Sequence, residues 1–471
     1  MARGLALPYR QDMFTRTRSI PALLLTAFVV ANCGSTDETS PFPDGTVDGG
    51  GGGGGGGREG GGGGFEFDSG TGAEASRPCV GLECQQVACS GGTTSLSGKV
   101  FAPEGTIPLY NAIVYVPNAK PEPFKQGVVC EQCGQVTGSP VVTAITNEKG
   151  EFRLTNVPVG DNIPLVIQIG KWRRQVTIPK VEKCVDTVVE AANTRLPRNS
   201  TEGDLPQIGF TSGNADSLEC FLRKLGVSDS EFTPPTGPGK VHFFRGNGAN
   251  IAGGAPAAAT LWNSAATLKK YDINVLSCEG NENTGDKAQY YPQMLDYMNS
   301  GGRVFASHYH YVWFRYGPQP LPTTANWGGA QGTSNPYQID TDFPKGMAFA
   351  DWLQNVNATT TKGTINLLDV RNSVGDSMPA VSRRWIRSDN PKTAKYFSFN
   401  LPIGQPADKQ CGRAVFTDVH VSGTGGATFP GFCNTAPLNA NEKALIFLFF
   451  DLSSCVQDET KPPQPPPAIP K

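Results

Sequence analysis

The sequence predicts a multidomain chain, an antiparallel β-sandwich followed by an α/β domain built on a parallel sheet. Three observations carry that reading. Between Ser95 and Cys184 apolar residues recur with period two, in short runs broken by Pro, Gly and Asn, as sandwich strands do. From Leu205 onward the rhythm changes to strand, helix, strand, which implies parallel strands covered on both faces. The chain also carries twelve cysteines in 471 residues, a usage suited to an exported protein, where disulfides form and persist.

Residues 1–33 combine Arg10, Arg16 and Arg18 with an apolar run from Ile20 to Val30 and end on Cys33. These are the parts of an export signal. The run is about half what a bilayer-spanning helix needs, so it is no anchor in its own right. Val30-Ala31-Asn32-Cys33 resembles the lipobox of bacterial lipoproteins, with Asn32 where that family has Gly, Ala or Ser. The resemblance implies that Cys33 is lipidated and holds the mature chain to the membrane at the cell envelope. Residues 34–75 contain Gly49 to Gly57 and Gly60 to Gly64, a flexible tether. With Cys33 lipidated, an odd number of cysteines remains, so they cannot all pair with one another. Beyond the tether the chain is long enough for two or three domains.

Residues 76–94 hold Cys79, Cys84 and Cys89 at even spacing. Zinc favours a tighter pair followed by a second pair, so this collar reads as a disulfide staple. The sandwich, 95–196, has strand-like runs at Leu96–Val100, Ala112–Val116, Val141–Ile145 and Leu165–Ile169. Ser97-Gly98-Lys99-Val100, Pro108 to Val116, Thr146 to Leu154 and Val157-Pro158-Val159-Gly160 resemble the carboxypeptidase regulatory-like, prealbumin-type sandwich. That resemblance implies a module that spaces, stiffens or binds without catalytic residues of its own. An insert carries Cys130-Glu131-Gln132-Cys133 between Gly127, Gly134 and Gly138. A thioredoxin-type pair needs a helix N-terminus to stabilise its thiolate, so a structural disulfide is expected in this loop. Lys171-Trp172-Arg173-Arg174 reads as solvated charge guarding a strand edge.

In the α/β domain, 197–458, strands are expected at Gln207–Thr211, Val241–Phe244, Ile273–Ser277, Arg303–Ser307 and Ala414–Val419. Asn214 is the expected cap of a helix burying Leu218, Phe221, Leu222 and Leu225, which Gly226 ends. Pro256 opens a second helix running to Lys269, and others cover Asp286–Met298, Phe349–Val356 and Asn441–Phe450. Residues 317–345 form an irregular insertion, and 459–471 a Pro-rich tail.

Ligands of open parallel sheets bind beyond the carboxyl ends of the strands. There the sequence places Arg245 and Asn247, Cys278 and Glu279, His308-Tyr309-His310 and Asp418-Val419-His420. Tyr271 to Leu276, Gly301 to His308 and Gly412 to Thr417 resemble the ThuA-like branch of the class I glutamine-amidotransferase-like fold. The resemblance implies a flavodoxin-like core and a functional position at His308. Amidotransferase chemistry does not carry over, because Ser307-His308 stands where that family has its nucleophilic cysteine.

His308 and His310 are two apart and share a face in extended backbone, as do Asp418 and His420. Together the four form a donor set for zinc or another divalent ion, whose Lewis acidity would activate water. Glu279 and His308 are candidate acid–base groups. Tyr309, Tyr311 and Trp313 offer aromatic faces for a sugar or peptide, and Arg245 and Asn247, at another strand end, are further candidate binding residues. Cys278, at a central strand end, is the expected free thiol; Cys411 with Cys433 and Cys220 with Cys455 are expected staples. Net charge is -2 without a long basic run, which gives nucleic acid no support as a partner. Gly246-x-Gly248 lacks the third glycine of a nucleotide loop, so no nucleotide is expected. The resulting expectation is a tethered envelope protein binding an extracellular ligand such as a glycan or surface polymer. A metal-dependent hydrolase of carbohydrate or peptide, and a purely structural surface component, are the alternatives.

Overall fold

The computed structural model describes residues 78–130, 136–247, 251, 254–329, 334–421 and 428–469. The signal, Cys33, the tether, Cys133 and Gly248 lie outside the described residues. The first seven strands are β1 (Ser95–Lys99), β2 (Ile113–Pro117), β3 (Pro140–Ile145), β4 (Glu151–Thr155), β5 (Gly160–Ile169), β6 (Trp172–Val181) and β7 (Asp186–Val188). They form two sheets, ordered β4-β1-β7 and β3-β2-β5-β6. Every pair is antiparallel except β1 with β7, which runs parallel. Alternation does the sorting: Phe152 and Leu154 of β4 turn inward and join Leu165 and Ile167 of β5 in one core. The hairpin before β4 is tied by Asn147, whose Oδ1 accepts from Lys149 N and Glu151 N, both at 2.9 Å. Gly150 follows at φ +72°, where a Cβ would come within 2.8 Å of Val100 O.

Two charged residues expected at a solvated edge are buried instead. Lys171 Nζ lies 2.6 Å from Asp272 of the α/β domain and also donates to the carbonyls of Lys125 and Gly127. Arg173 pairs with Asp204 at 2.8 Å and covers the Phe124 ring. They join parts of the molecule rather than shield a strand edge.

The second part contains β8 (Ile208–Ser212), β9 (Phe232–Thr233), β10 (Val241–Arg245), β11 (Ile273–Leu276), β12 (Arg303–Ser307), β13 (Ala325–Asn326) and β14 (Tyr337–Ile339). It continues with β15 (Thr364–Ile365), β16 (Asp376–Ser377), β17 (Arg383–Asp389), β18 (Lys392–Leu401) and β19 (Gly412–Thr417). Ten of these build one mixed sheet, β15-β14-β17-β18-β19-β12-β11-β8-β10-β9. The run from β19 to β9 is parallel, and from β19 to β15 each neighbour is antiparallel. β13 and β16 pair separately.

The helices are α1 (Leu218–Lys224), α2 (Ala259–Trp262), α3 (Ala265–Leu268), α4 (Thr284–Lys287), α5 (Tyr291–Asn299), α6 (Val312–Arg315), α7 (Pro344–Asn355) and α8 (Ala440–Ser453). Apolar residues on the two sides of the sheet enter different clusters. Phe210, Phe305 and Val415 pack with α1, α7 and α8, whereas Val304, Ala306 and Phe416 pack with α2, α3, α5 and α6. The expected long helices are broken where polar groups intrude. Ser264 Oγ accepts from Thr267 N and starts α3 afresh, and a 3-10 turn at Ala288–Tyr290 separates α4 from α5. Ser217, not Asn214, is the residue before α1.

Disulfides join Cys79 to Cys84, Cys89 to Cys184, Cys130 to Cys411 and Cys220 to Cys433. Three expected pairings are thereby corrected: Cys130 bridges to Cys411, just before β19, rather than within its own loop, Cys411 does not meet Cys433, and Cys220 does not meet Cys455. Cys455 is itself disulfide-bonded. Bridges of this number belong to an oxidising, extracytoplasmic setting. Among the described residues no helix is long and apolar enough to cross a membrane.

Candidate functional site

Parallel strands β8, β11, β12 and β19 end together, and the loops leaving them supply the site. β11 and β8 release their chains so closely that a Cβ on Gly213 would stand 2.1 Å from the Cys278 carbonyl oxygen. Asp216, three residues beyond that glycine, is fully buried. Its Oδ2 accepts from Ser307 Oγ at 2.6 Å and its Oδ1 from Val421 N at 3.1 Å. One carboxylate therefore staples the end of β12 to the segment after β19. Burial raises its pKa against the pull of His420 and the Ser307 hydrogen bond.

His308 leaves β12 at φ +43°, a left-handed turn unusual for a residue with a Cβ. This turn swings its ring toward the neighbouring strand ends. His308 Nδ1 lies 3.4 Å from Cys278 Sγ and 3.2 Å from His420 Nε2. Donor atoms of all three residues lie within 4.8 Å of one another. Cys278 is a free cysteine with no solvent exposure, and the two histidines are 7% and 4% exposed. Burial pushes the thiol up to about 11 and His308 down to about 3, where the nearby His420 and Arg371 also disfavour a proton. The ring of Tyr309 lies against His308, centroids 4.0 Å apart.

These spacings match a metal-binding group. Two nitrogens each about 2.0–2.1 Å from a tetrahedral zinc ion sit about 3.3 Å apart, and a thiolate ligand slightly farther from each. Cys, His and His are also donors that zinc accepts readily. Among the described residues three protein ligands converge; zinc takes four, so a fourth position is left for another group.

The expected quartet of His308, His310, Asp418 and His420 does not assemble. The segment after β12 is a 3-10 helix, His308–Tyr311, not an extended strand, so residues two apart diverge. His310 is buried with both nitrogens engaged: Nε2 with the Ser277 carbonyl at 2.9 Å, Nδ1 with Trp313 Nε1 at 3.1 Å. Its pKa falls to about 4, mainly through burial. Asp418 is buried too, its Oδ2 accepting from Ser373 N at 2.6 Å and Val374 N at 3.3 Å. Burial raises it to about 6. Cys278 takes the place in the group that these two were expected to fill.

Glu279 is likewise committed elsewhere. Lys287 Nζ contacts its Oε2 at 2.6 Å in a pair 1% exposed on each side, Asn283 donates to the same oxygen, and Asn247 N donates to Oε1 at 3.2 Å. The carboxylate pins the loops after β10 and β11 and is no base for the centre. Burial opposes its charge, yet its surroundings hold it below the ordinary carboxylate value. Of the expected aromatic platform, Tyr311 and Trp313 are buried, Trp313 against Trp262 and Tyr291. Tyr309 is half-buried; at the end of β10, Arg245 is exposed and Asn247 is exposed too.

Two contributors carry no sequence signal of their own. Asp216 stands in a loop without periodicity. Asp369 reaches His420 from a separate segment, its Oδ2 3.2 Å from Nδ1, because Val370 bridges Val419 in antiparallel fashion. The nearest cue was that His420 needed an orienting partner.

No family model matches the chain, and no curated protein does. Matching solved structures include two interface mutants of the type II cohesin–X-dockerin complex from Acetivibrio cellulolyticus. One is 15% identical, covers 30% of this chain and 75% of that chain, and has a TM-score of 0.14. The other is 13% identical, covers 29% and 85%, and has a TM-score of 0.16. Likeness at that level carries no argument about fold or function.

Proposed function

We propose that this chain is an exported, lipid-tethered envelope protein whose α/β domain is a metal-assisted hydrolase. In this reading Cys33 carries the anchor, residues 34–75 are the tether, and the sandwich is a prealbumin-type spacer. The α/β domain is ThuA-like with a flavodoxin-like core. Numbered along the domain, the principal parallel strands β10-β8-β11-β12-β19 follow the order 2-1-3-4-5, which supports that assignment.

The observation that carries the function is the convergence of Cys278, His308 and His420 at the carboxyl edge, at spacings suited to zinc. A bound zinc ion would supply Lewis acidity and lower the pKa of water at the open position. The chain's own residues hold and orient. Asp216 fixes the two loops that bear the imidazoles, and Tyr309 backs His308. A hydrogen-bonded thiol–imidazole chain without metal needs the same contacts, so metal content decides between them.

Protein purified with zinc should hold one ion per chain by elemental analysis. Cys278→Ser, His308→Ala and His420→Ala should each reduce it at least tenfold, whereas His310→Ala and Asp418→Asn should not remove a ligand. The zinc form should hydrolyse a simple nitrophenyl ester or glycoside faster than the chelated form. A folded wild-type protein that takes up no zinc would sink this reading. The tethered glycan-binding reading then gains, because Tyr309 still offers a partly open ring, and Arg245 and Asn247 are exposed on the same sheet edge.

A further inference from the structure

Asp369 is not one of the three candidate ligands, yet several contacts determine its position. It stands at φ +49° in a loop, with its carbonyl accepting from His420 N at 3.3 Å. Its Oδ2 lies 3.2 Å from His420 Nδ1, and Arg371 pairs with Oδ1 at 2.6 Å. Backbone and side chain of the same residue thus both grip His420. The loop is held in turn by Arg371 N donating to Asp418 O at 2.6 Å.

We infer that Asp369 is the positioning residue of the centre, and that Arg371 is its counter-ion. This rests on the metal reading above. An imidazole can offer a metal the lone pair of one ring nitrogen only if the proton resides on the other. Asp369 accepts the Nδ1 proton of His420, which leaves Nε2 as the donor facing His308 Nδ1, 3.2 Å away. The carboxylate also fixes the ring plane of His420, as outer carboxylates do behind metal-bound histidines. Arg371 holds Asp369 turned toward the ring, although both side chains are about half exposed, at 42% and 51%. The exposure argues for function over folding: an ion pair so open to water contributes little to stability. Asp418, by contrast, is wholly buried, and its Oδ2 accepts from two backbone amides, Ser373 N and Val374 N, which ties it to the chain rather than to the centre.

The test is competitive zinc titration of the full chain, with cobalt(II) absorption as the report on geometry. Asp369→Asn should weaken zinc about 10–100-fold and alter the cobalt ligand-field bands, while the metal-free melting temperature stays unchanged. Asp369→Glu should recover part of the affinity, and Arg371→Met should cost less than Asp369→Asn. An Asn variant with wild-type affinity and spectrum overturns the assignment while leaving the metal centre standing. A Glu variant no better than Asn also overturns it; if the Asn variant fails to fold, Asp369→Ser takes its place and is judged by the same outcomes. A wild-type chain that binds neither zinc nor cobalt removes the centre itself, and the assignment with it.

Discussion

Glu219 shows what a single buried carboxyl does to the stability of this fold. It lies in α1, 2% exposed, and its Oε2 has no hydrogen-bond partner among the described residues. Burial, its dominant cause, raises its pKa from 4.5 to about 8. The folded state therefore keeps its proton through a pH range in which the unfolded chain releases it. Stability from this group is full below the unfolded value and is lost as pH rises toward 8, the reverse of a salt-bridged acid. The loss at pH 8 is at most about 4–5 kcal/mol, from about 1.4 kcal/mol for each unit of displacement. Glu219→Gln should therefore raise the urea midpoint relative to wild type at pH 8 and leave the two proteins much closer at pH 4. Equal differences at both pH values would count against a neutral Glu219. At this scale the sequence was partly legible. Cys278, His308 and His420 fall at strand ends, where the sheet must gather them. His310 was misplaced because a period-two argument holds only while the backbone stays extended, and the turn at His308 ends that.

The same limit appears among the elements. Parallel strands were readable because Val241–Arg245 or Arg303–Ser307 are short, largely buried runs between helices. The antiparallel half, β14 to β18, was not, because β14 and β15 are only two or three residues long and contact partners far along the chain. The helix expected from Asn441 starts one residue later than α8 does, whereas the start of α3, which Ser264 caps, was not legible. At α8 side chains and backbone cap one another. Asn439 Oδ1 accepts from Glu442 N at 2.9 Å, and Glu442 Oε2 accepts from Asn439 N at 2.9 Å, a complete capping box. Glu442 Oε1 also meets Lys224 of α1 at 2.7 Å. Asn439→Ala should lower stability by about 1 kcal/mol, read as a drop in urea midpoint with unchanged slope. A neutral outcome would mean that the packing of Leu445, Phe449 and Leu452 alone determines where α8 begins. Helix α8 matters because its apolar side closes the core behind β12 and β19, the strands that deliver His308 and His420.

Across the whole molecule, pairings between distant residues are what sequence spacing could not reveal. Disulfide partners are set by tertiary proximity, and Cys130 with Cys411 lie 281 residues apart. Buried charges follow the same rule. Lys345 of α7, Arg413 of β19, Asp451 of α8 and Glu459 of the tail form one enclosed group. Lys345 Nζ reaches Asp451 at 2.8 Å and Glu459 at 3.3 Å, Arg413 reaches Glu459 at 2.6 Å, and Arg413 also contacts Asp451. Two cations balance two anions, so the group is neutral as a set although each member is 9% exposed or less. Such a set adds little over well-packed apolar residues, but losing one member leaves an uncompensated charge in the interior. Glu459→Gln should thus cost about 3–5 kcal/mol, far more than a change in an exposed tail. Lys345→Met in the same chain restores the charge balance and should recover a substantial part of that loss. A double-mutant cycle on urea midpoints measures the coupling directly. Purely additive costs would show that the tail is held by its other contacts, such as Ile469 N donating to Pro140 O at 2.9 Å. Strong coupling would show that the charge set binds the last residues to the sheet carrying the site.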